Sequence, residues 1–259
     1  MNEKMITIIG PTASGKTSLA AAVAHAIGGE VISADSRQVY RRMDIGTGKD
    51  LCDYVVDGDR VPCHLIDIVE PGTRYNLFMY QHDFLKVYSE LRSRGVQAVL
   101  CGGSGLYVES ILRGYQLKPV PENPRLRSSL EHFSLEELTR MLERLKQQNG
   151  TVMHNTTDVD SVQRAIRAIE IESYNGAHAA EGARIPEIPA VVIGIDIDRE
   201  TRRSRITHRL DARLEEGTVA EARSPLDSGI PAEDLIYYGL EYRYVTEYVT
   251  GLLSHEEMH

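Results

Sequence analysis

The residues with the clearest chemical signature form one eight-residue segment, Gly10-Pro11-Thr12-Ala13-Ser14-Gly15-Lys16-Thr17. This segment matches the pattern G-x-x-x-x-G-K-[ST], in which backbone N–H groups cradle an anion and the lysine adds a full positive charge. The threonine hydroxyl of the pattern can ligate Mg²⁺. We therefore predict a polyphosphate-binding loop, the phosphate loop, formed by Gly10, Thr12, Ala13, Ser14, Gly15, Lys16 and Thr17.

The elements around the phosphate loop have the order that the motif requires. The apolar run 5–9 predicts a buried strand, and the alanine-rich run 18–24 predicts a helix. Further strands are predicted at 30–34, 64–69, 96–101 and 190–197, and further helices at 76–94 and 106–112. This alternation favours a doubly wound parallel α/β sheet, which together with the loop indicates a P-loop NTPase-like fold.

The segment 114–158 breaks this alternation. It opens with three prolines and continues into a charged stretch, 134–148, where Ser134 and Glu137 predict the capping box of a helix. Because the segment exceeds the usual loop length of roughly 2–15 residues, we predict a small helical insertion rather than a surface connection. The catalytic core is then expected at 1–113 and 159–259.

Polar residues follow three of the predicted strands, at the sheet edge where open α/β folds bind ligands. We predict that Asp35, after the second strand, acts as a general base or holds a metal through water; a turn carboxylate is the alternative. Asp67 lies inside the third predicted strand, which equally favours a metal ligand and a cap on a neighbouring loop. Gly102-Gly103-Ser104 follows the fourth strand and suits close approach of a substrate to the backbone.

A helix predicted over 158–170 has two distinct faces. Its apolar positions are Val162, Ala165, Ile166 and Ile169. The opposite face carries Gln163, Arg164 and Arg167, and its two adjacent arginines suit a pyrophosphate clamp or a nucleic-acid backbone. A solvated charged face is the alternative. A second basic run, Arg199–Arg209, has potential for phosphate contacts.

The composition disfavours several classes of protein. The 38 acidic and 29 basic residues give a net charge of −9, which disfavours general nucleic-acid binding without a local basic patch. The 3 cysteines lack C-x-x-C spacing, so neither a structural zinc site nor a disulfide framework is expected. No signal peptide precedes the phosphate loop, and no apolar run approaches the roughly 20 residues of a membrane span. We therefore expect a cytoplasmic protein.

Several blocks of the sequence resemble the bacterial tRNA dimethylallyltransferase (tRNA isopentenyltransferase) family. The blocks are GPTASGKT at 10–17, ISADSRQVY at 32–40, MDIGT at 43–47, HLID at 64–67, GGSGLY at 102–107, QRAIRAIE at 163–170 and GLEY at 239–242. Arg199, Arg205, Arg209, Asp211, Gly217 and Glu221 have the spacing of a later helix of the family. The family continues beyond the position of His259 into a basic, aromatic tail, so the resemblance implies a C-terminally shortened chain.

The resemblance implies transfer of a dimethylallyl group from dimethylallyl diphosphate to N6 of adenosine 37 in tRNA, with release of diphosphate. Asp35 matches the family's catalytic base, and the resemblance implies that Lys16 and Thr17 are catalytic residues as well. The implied cofactor is Mg²⁺, bound by Thr17. The phosphate loop and Arg167 are the implied diphosphate site. The implied tRNA contacts are Asp35, Ser36, Arg37, Gln38, Ser104, Gln163, Arg164 and Arg167. The insertion is expected to grip the anticodon stem-loop, and we expect a monomer.

Three other functions are open at this point. A small-molecule P-loop kinase would need ATP and an acceptor hydroxyl, and would not explain the insertion or the block at 35–38. A free-adenylate isopentenyltransferase shares the core but does not need a tRNA-gripping insertion. A nucleotide-dependent binding protein without catalysis is disfavoured by the presence of Lys16, Thr17 and Asp35 together.

Overall fold

A five-stranded parallel sheet forms the core of the protein in a computed structural model that describes residues 4–153, 157–178 and 185–259. The strands of the chain are β1 (Met5–Ile9), β2 (Glu30–Ser33), β3 (Val55–Val56), β4 (Asp59–Arg60), β5 (Cys63–His64), β6 (Ala98–Gly102) and β7 (Ala190–Gly194). The sheet order is β5-β2-β6-β1-β7, while β3 and β4 form a separate antiparallel hairpin. The predicted parallel sheet is confirmed.

Helices connect these strands. They are α1 (Lys16–Ile27), α2 (Leu77–Ser93), α3 (Gly105–Leu112), α4 (Pro124–Leu130), α5 (Leu135–Asn149), α6 (Val162–Ala177), α7 (Arg199–Glu216), α8 (Thr218–Asp227), α9 (Ala232–Ile236), α10 (Leu240–Val249) and α11 (His255–Met258). α1, α2 and α3 lie where the sequence predicts helices. α2 begins after Asn76, whose side chain accepts a hydrogen bond from the Met79 N–H at 3.1 Å.

The chain folds into two compact units. The first comprises Met1–Tyr115 and Pro186–His259 and contains the sheet, and the second, Gln116–Ile185, is the helical unit. Because the central strands are buried on both faces, their side chains are almost all apolar, as in β1 and β6.

The helical unit extends further along the chain than the predicted insertion. α5 begins with the predicted capping box, in which Ser134 and Glu137 bond reciprocally. The unit's apolar core contains Leu130, Leu138, Leu142, Ala165, Ile166 and Ile169. Because the apolar face of α6 packs on α5, residues 159–185 belong to this unit and not to the predicted core. Residues 154–156, at the end of the predicted insertion, lie outside the described residues.

The third strand is much shorter than predicted. β5 ends at His64, and the backbones of Leu65 and Asp67 are left-handed, with φ of 63° and 56°. Such angles cannot continue a strand. The prediction that Asp67 lies inside a strand is therefore wrong, and Asp67 lies in the bend that follows β5.

None of the helices in the described part of the chain is both long and apolar enough to span a membrane.

Candidate active site

The phosphate loop connects β1 to α1 and leaves the start of the helix open. Ala13 and Gly15 are left-handed, with φ of 62° and 82°, and no side chain caps the first turn of α1. The first N–H groups of an uncapped helix have no partner within the helix, and the helix dipole adds partial positive charge there. The loop therefore has the backbone conformation of an anion site.

A cavity of about 670 Å³, the phosphate cavity, opens in front of the loop. Thr12, Ala13, Ser14, Gly15, Lys16 and Thr17 line it on one side. The Lys16 ammonium donates a long hydrogen bond of 3.3 Å to the Pro11 carbonyl oxygen. No carboxylate of the described residues lies within ion-pair distance of Lys16, so its charge is available to a ligand.

Asp35 lies two residues beyond the end of β2 and lines the same cavity. Its Oδ1 accepts hydrogen bonds from the backbone N–H groups of Arg37 (2.8 Å) and Gln38 (3.4 Å). This turn fixes the carboxylate in one orientation. Oδ2 accepts no hydrogen bond from a described residue, which leaves one carboxylate oxygen for a substrate proton.

The structure brings the residues that follow β2 together with Ser104, which follows β6. Ser104 Oγ accepts a hydrogen bond from the Ser36 N–H at 3.0 Å and lies 3.4 Å from Ser36 Oγ. Arg37 donates to the Tyr237 carbonyl oxygen at 2.7 Å, and Gln38 Nε2 donates to the Gly48 carbonyl oxygen at 2.8 Å. Apart from Asp67, the predicted site residues of the first unit are therefore neighbours at the carboxyl ends of the strands.

The opposite side of the phosphate cavity is formed by α7. Arg205, His208, Arg209 and Arg213 line it, and Arg205 reaches the Ala13 carbonyl oxygen at 3.4 Å. Burial and the neighbouring Arg213 lower the pKa of Arg209. This basic run was predicted only to have potential for phosphate contacts, not to be part of the site. The spacing of four residues between Arg205, Arg209 and Arg213 was the signal that could have assigned it to the site.

Three carboxylates that line the cavity, those of Asp50, Asp53 and Glu241, were not predicted as site residues. Asp53 Oδ1 accepts a hydrogen bond from the Ser18 hydroxyl at 3.1 Å, and Asp50 lies 3.4 Å from the Arg213 guanidinium. Both residues precede β3 in a connection without a recognisable motif, so no sequence pattern pointed to them.

Asp67 lies elsewhere. It is absent from the residues that line the phosphate cavity, and its carboxylate accepts from the buried Lys49 ammonium at 2.5 Å. Lys49 also contacts Asp44 Oδ1 at 2.8 Å. The Lys49 side chain is fully buried while that of Asp67 is partly exposed, and this ion pair engages Asp67 in the bend after β5, away from the phosphate cavity.

Gln163, Arg164 and Arg167 lie on α6 in the helical unit. Arg167 contacts the Glu170 carboxylate and donates to the Val120 carbonyl oxygen at 2.9 Å, while Arg164 pairs with Asp160 at 2.9 Å. Gln163 and Arg164 are exposed, as the two-faced helix predicts.

A second cavity of about 440 Å³, the apolar cavity, adjoins the phosphate cavity. α7 contributes Ile206, Leu210 and Leu214 to its wall, and α10 contributes Leu240, Tyr244 and Val245. The two cavities share Thr12, Gly46, Arg209, Arg213 and Glu241. An anionic group and an apolar group of one small ligand could therefore occupy adjacent spaces.

Known proteins share this sequence and fold. A family described as IPP transferase matches residues 38–259, and one described as isopentenyl transferase matches residues 3–70. The chain is 59% identical to tRNA dimethylallyltransferase 2 of Phocaeicola vulgatus, over 98% of this chain and 81% of that relative. It is 57% identical to tRNA dimethylallyltransferase 1 of Porphyromonas gingivalis, over 98% of this chain and 82% of that relative.

A solved structure agrees with these matches. The crystal structure of the full-length tRNA isopentenylpyrophosphate transferase from Bacillus halodurans has a TM-score of 0.67 and 31% identity, over 99% of this chain and 80% of that chain. The resemblance inferred from the sequence blocks is thereby confirmed, and this chain belongs to the IPP transferase family, that of the tRNA dimethylallyltransferases.

Proposed function

We propose that this protein transfers a dimethylallyl group from dimethylallyl diphosphate to N6 of adenosine 37 in tRNA and releases diphosphate. One observation carries the proposal: the cation-lined phosphate cavity shares a wall with the apolar cavity. A diphosphate joined to a branched C5 hydrocarbon needs a charged and an apolar environment in direct contact. The names of relatives that are 57% and 59% identical support the same reaction.

Asp35 is the base in this proposal. As the bond between C1 of the dimethylallyl group and the diphosphate oxygen breaks, a bond forms between C1 and N6, and N6 loses one proton. Oδ1 of Asp35 is engaged by the N–H groups of Arg37 and Gln38, so we assign Oδ2 as the proton acceptor. A positioned general base contributes about 10²–10⁴-fold to such a step.

The cations of the phosphate cavity stabilise the leaving group. Negative charge grows on the diphosphate as the C1–O bond breaks, and Lys16, Arg205 and Arg209 line the space where it collects. Preorganised positive groups in a shielded site are usually the largest contribution to catalysis of this kind. The N–H groups at the start of α1, which have no partner within the helix, also stabilise the negative charge on the diphosphate.

We propose Mg²⁺ as the cofactor, held by the Thr17 hydroxyl and by diphosphate oxygens. Thr17, Asp35 and Asp53 offer oxygen atoms in one cavity, and the described residues contain no cluster of three metal-binding side chains. This sparse set fits Mg²⁺, which keeps several waters and takes ligands from phosphates. When bound, the ion neutralises charge on the diphosphate. Asp67 is outside this set because Lys49 engages its carboxylate.

The proposed RNA contacts surround Asp35. Ser36, Arg37, Gln38 and Ser104 present hydroxyl, guanidinium and amide groups beside the base, and the adenine must leave the stacked anticodon loop to reach it. Gln163, Arg164 and Arg167 of the helical unit are proposed as contacts to the anticodon stem-loop. Arg167 is not kept as a diphosphate ligand, because Glu170 and the Val120 carbonyl oxygen engage its guanidinium. We further propose that the protein acts as a cytoplasmic monomer.

A prenyl-transfer assay tests the proposal. Purified protein, Mg²⁺ and radiolabelled dimethylallyl diphosphate are incubated with an unmodified anticodon stem-loop carrying A37, with the same RNA carrying G37, and with AMP and ATP. We expect label only in the A37 RNA. Label in AMP or ATP would instead indicate a free-nucleotide isopentenyltransferase. Phosphate transfer from ATP without prenyl transfer would indicate a kinase.

A further inference from the structure

The carboxylate of Glu221, on α8, binds three consecutive backbone N–H groups. Its Oε2 accepts from Asp44 (2.7 Å) and Ile45 (2.8 Å), and its Oε1 accepts from Gly46 (2.9 Å). Successive N–H groups that converge in this way form an anion-binding concavity. The 44–48 segment therefore carries its own anion site, and Glu221 occupies it.

Tyr242, on α10, completes this contact. Its hydroxyl donates to Glu221 Oε1, and its ring is almost fully buried. A Cβ atom on Gly46 would lie 2.8 Å from the Tyr242 ring, so the residue at 46 must be glycine for the ring to fit. Burial and the adjacent Glu221 raise the pKa of Tyr242, which keeps the hydroxyl protonated as a donor at physiological pH.

The 44–48 segment connects Glu221 to the active site. Gly46, Thr47 and Gly48 line the phosphate cavity. The Gly48 carbonyl oxygen accepts the hydrogen bond from Gln38 Nε2, and the Gln38 N–H donates to Asp35 Oδ1. A displacement of the segment would therefore reach the base through two hydrogen bonds.

The segment is also held by the buried ammonium of Lys49. Lys49 contacts Asp44 Oδ1, the Tyr40 carbonyl oxygen and Asp67. Glu221 and Lys49 thus both hold the segment, Glu221 through three backbone N–H groups and Lys49 through the Asp44 side chain. Removal of Glu221 would leave three N–H groups without their acceptor while the Lys49 contacts persist.

We infer that Glu221 is a positioning residue for the prenyl transfer, acting with Tyr242. It holds the 44–48 segment so that Gln38 keeps Asp35 oriented, although Glu221 itself touches neither substrate nor base. The inference rests on the proposed function. It predicts a loss of turnover rather than of diphosphate binding, because the phosphate loop and Lys16 do not depend on the 44–48 segment for their contacts.

The test compares Glu221→Gln and Tyr242→Phe with the wild-type protein and with Glu216→Gln, which removes the same charge from an exposed position one helix away. We expect kcat to fall about 100-fold in Glu221→Gln, the effect of an ångström-scale misplacement of reacting groups. The fall in Tyr242→Phe should be smaller. KM for dimethylallyl diphosphate and pyrophosphate affinity, measured by calorimetry, should change less than about threefold. Hydrogen exchange of the N–H groups at 44–46 should become faster, and Glu216→Gln should match the wild type.

Two results would overturn the inference. One is an unchanged kcat in Glu221→Gln with faster exchange at 44–46, which would show that the segment does not position the base. The other is a fall in kcat matched by an equal loss of pyrophosphate binding, which would indicate general unfolding. If Glu221→Gln does not fold, Tyr242→Phe decides by the same measurements. A wild-type protein without prenyl transfer would instead refute the proposed function.

Discussion

Three basic side chains of the phosphate cavity and three of the helical unit have opposite surroundings, although Arg213, which also lines the cavity, contacts Asp50. In the cavity, no carboxylate of the described residues lies within ion-pair distance of Lys16, Arg205 or Arg209. In the helical unit, Arg127 and Arg167 contact Glu170, and Lys146 contacts Glu172, with both glutamates buried. The same residue types therefore serve a ligand in one region and the fold in the other.

This difference shows that pairing, rather than local charge, separates binding cations from structural ones. A buried carboxylate satisfied by guanidinium groups stabilises the fold that it joins, and removing one partner is costly. The pKa of Arg209, which has no such partner among the described residues, is lowered first by burial and then by repulsion from the neighbouring Arg213. An anionic ligand offsets that repulsion, so its binding is expected to stabilise the folded protein.

The largest expected effect concerns Asp35. Asp35→Asn keeps the size of the side chain but cannot accept the N6 proton, so we expect turnover to fall about 10²–10⁴-fold. Pyrophosphate affinity should stay within a few-fold of the wild type, because Asp35 carries no positive charge. Single-turnover kinetics and calorimetry measure the two quantities. A parallel loss of affinity would make Asp35 part of the diphosphate site instead.

The next effect concerns the unpaired cations. Lys16→Ala should weaken pyrophosphate binding by about 30-fold or more, the usual result of removing one partner of a close charge pair. Because no carboxylate depends on Lys16, the melting temperature without ligand should not fall. Lys86→Ala, at an exposed position of α2, is the matched control and should bind pyrophosphate normally. Unchanged affinity in Lys16→Ala would remove the phosphate loop from the mechanism.

The sequence predicted the parts of the site that strand ends bring together. The phosphate loop, Asp35, Ser36 and Ser104 lie at the carboxyl ends of neighbouring parallel strands, and that geometry follows from the strand pattern alone. The bend at Asp67 was missed because left-handed angles at non-glycine residues leave no pattern in the sequence. The assignment of α6 to the helical unit was missed because periodicity reveals an apolar face but not the helix on which it packs.

The paired cations give the third prediction. Glu170 accepts hydrogen bonds from Arg127 at 2.9 and 3.2 Å and contacts Arg167 and the Asn123 N–H. Glu170→Gln removes the charge that these groups share, so we expect the helical unit to lose about 2–3 kcal/mol of unfolding free energy. Pyrophosphate affinity should not change, since the phosphate cavity lies in the first unit. Denaturant unfolding and calorimetry measure the two quantities.

The control for this variant is Glu136→Gln, which breaks an exposed pair with Arg140 on α5. This control should lower the unfolding free energy by no more than about 0.5 kcal/mol. Equal losses of unfolding free energy in both variants would show that the buried contacts of Glu170 stabilise the unit no more than an exposed ion pair does. The contrast between structural cations in the helical unit and binding cations in the cavity would then be wrong. A weaker pyrophosphate affinity in Glu170→Gln would also contradict this contrast, because the paired cations would then contribute to ligand binding.

The smallest effect is a pH dependence confined to the helical unit. Burial alone would raise the pKa of Glu170, but hydrogen bonds from Arg127, the Asn123 N–H and Arg167 hold it below its ordinary value of 4.5. The unfolded chain therefore binds this proton at a higher pH than the folded one does. The stabilisation from the carboxylate is complete well above pH 4.5 and is lost as the pH falls through the lower, folded-state pKa.

Protonated Glu170 is close to glutamine in shape and charge, so the difference in unfolding free energy between the wild type and Glu170→Gln should shrink over that pH interval. Unfolding titrations of both proteins from pH 7 to pH 3 measure it, and a constant difference would mean that Glu170 stabilises the unit by packing rather than by charge.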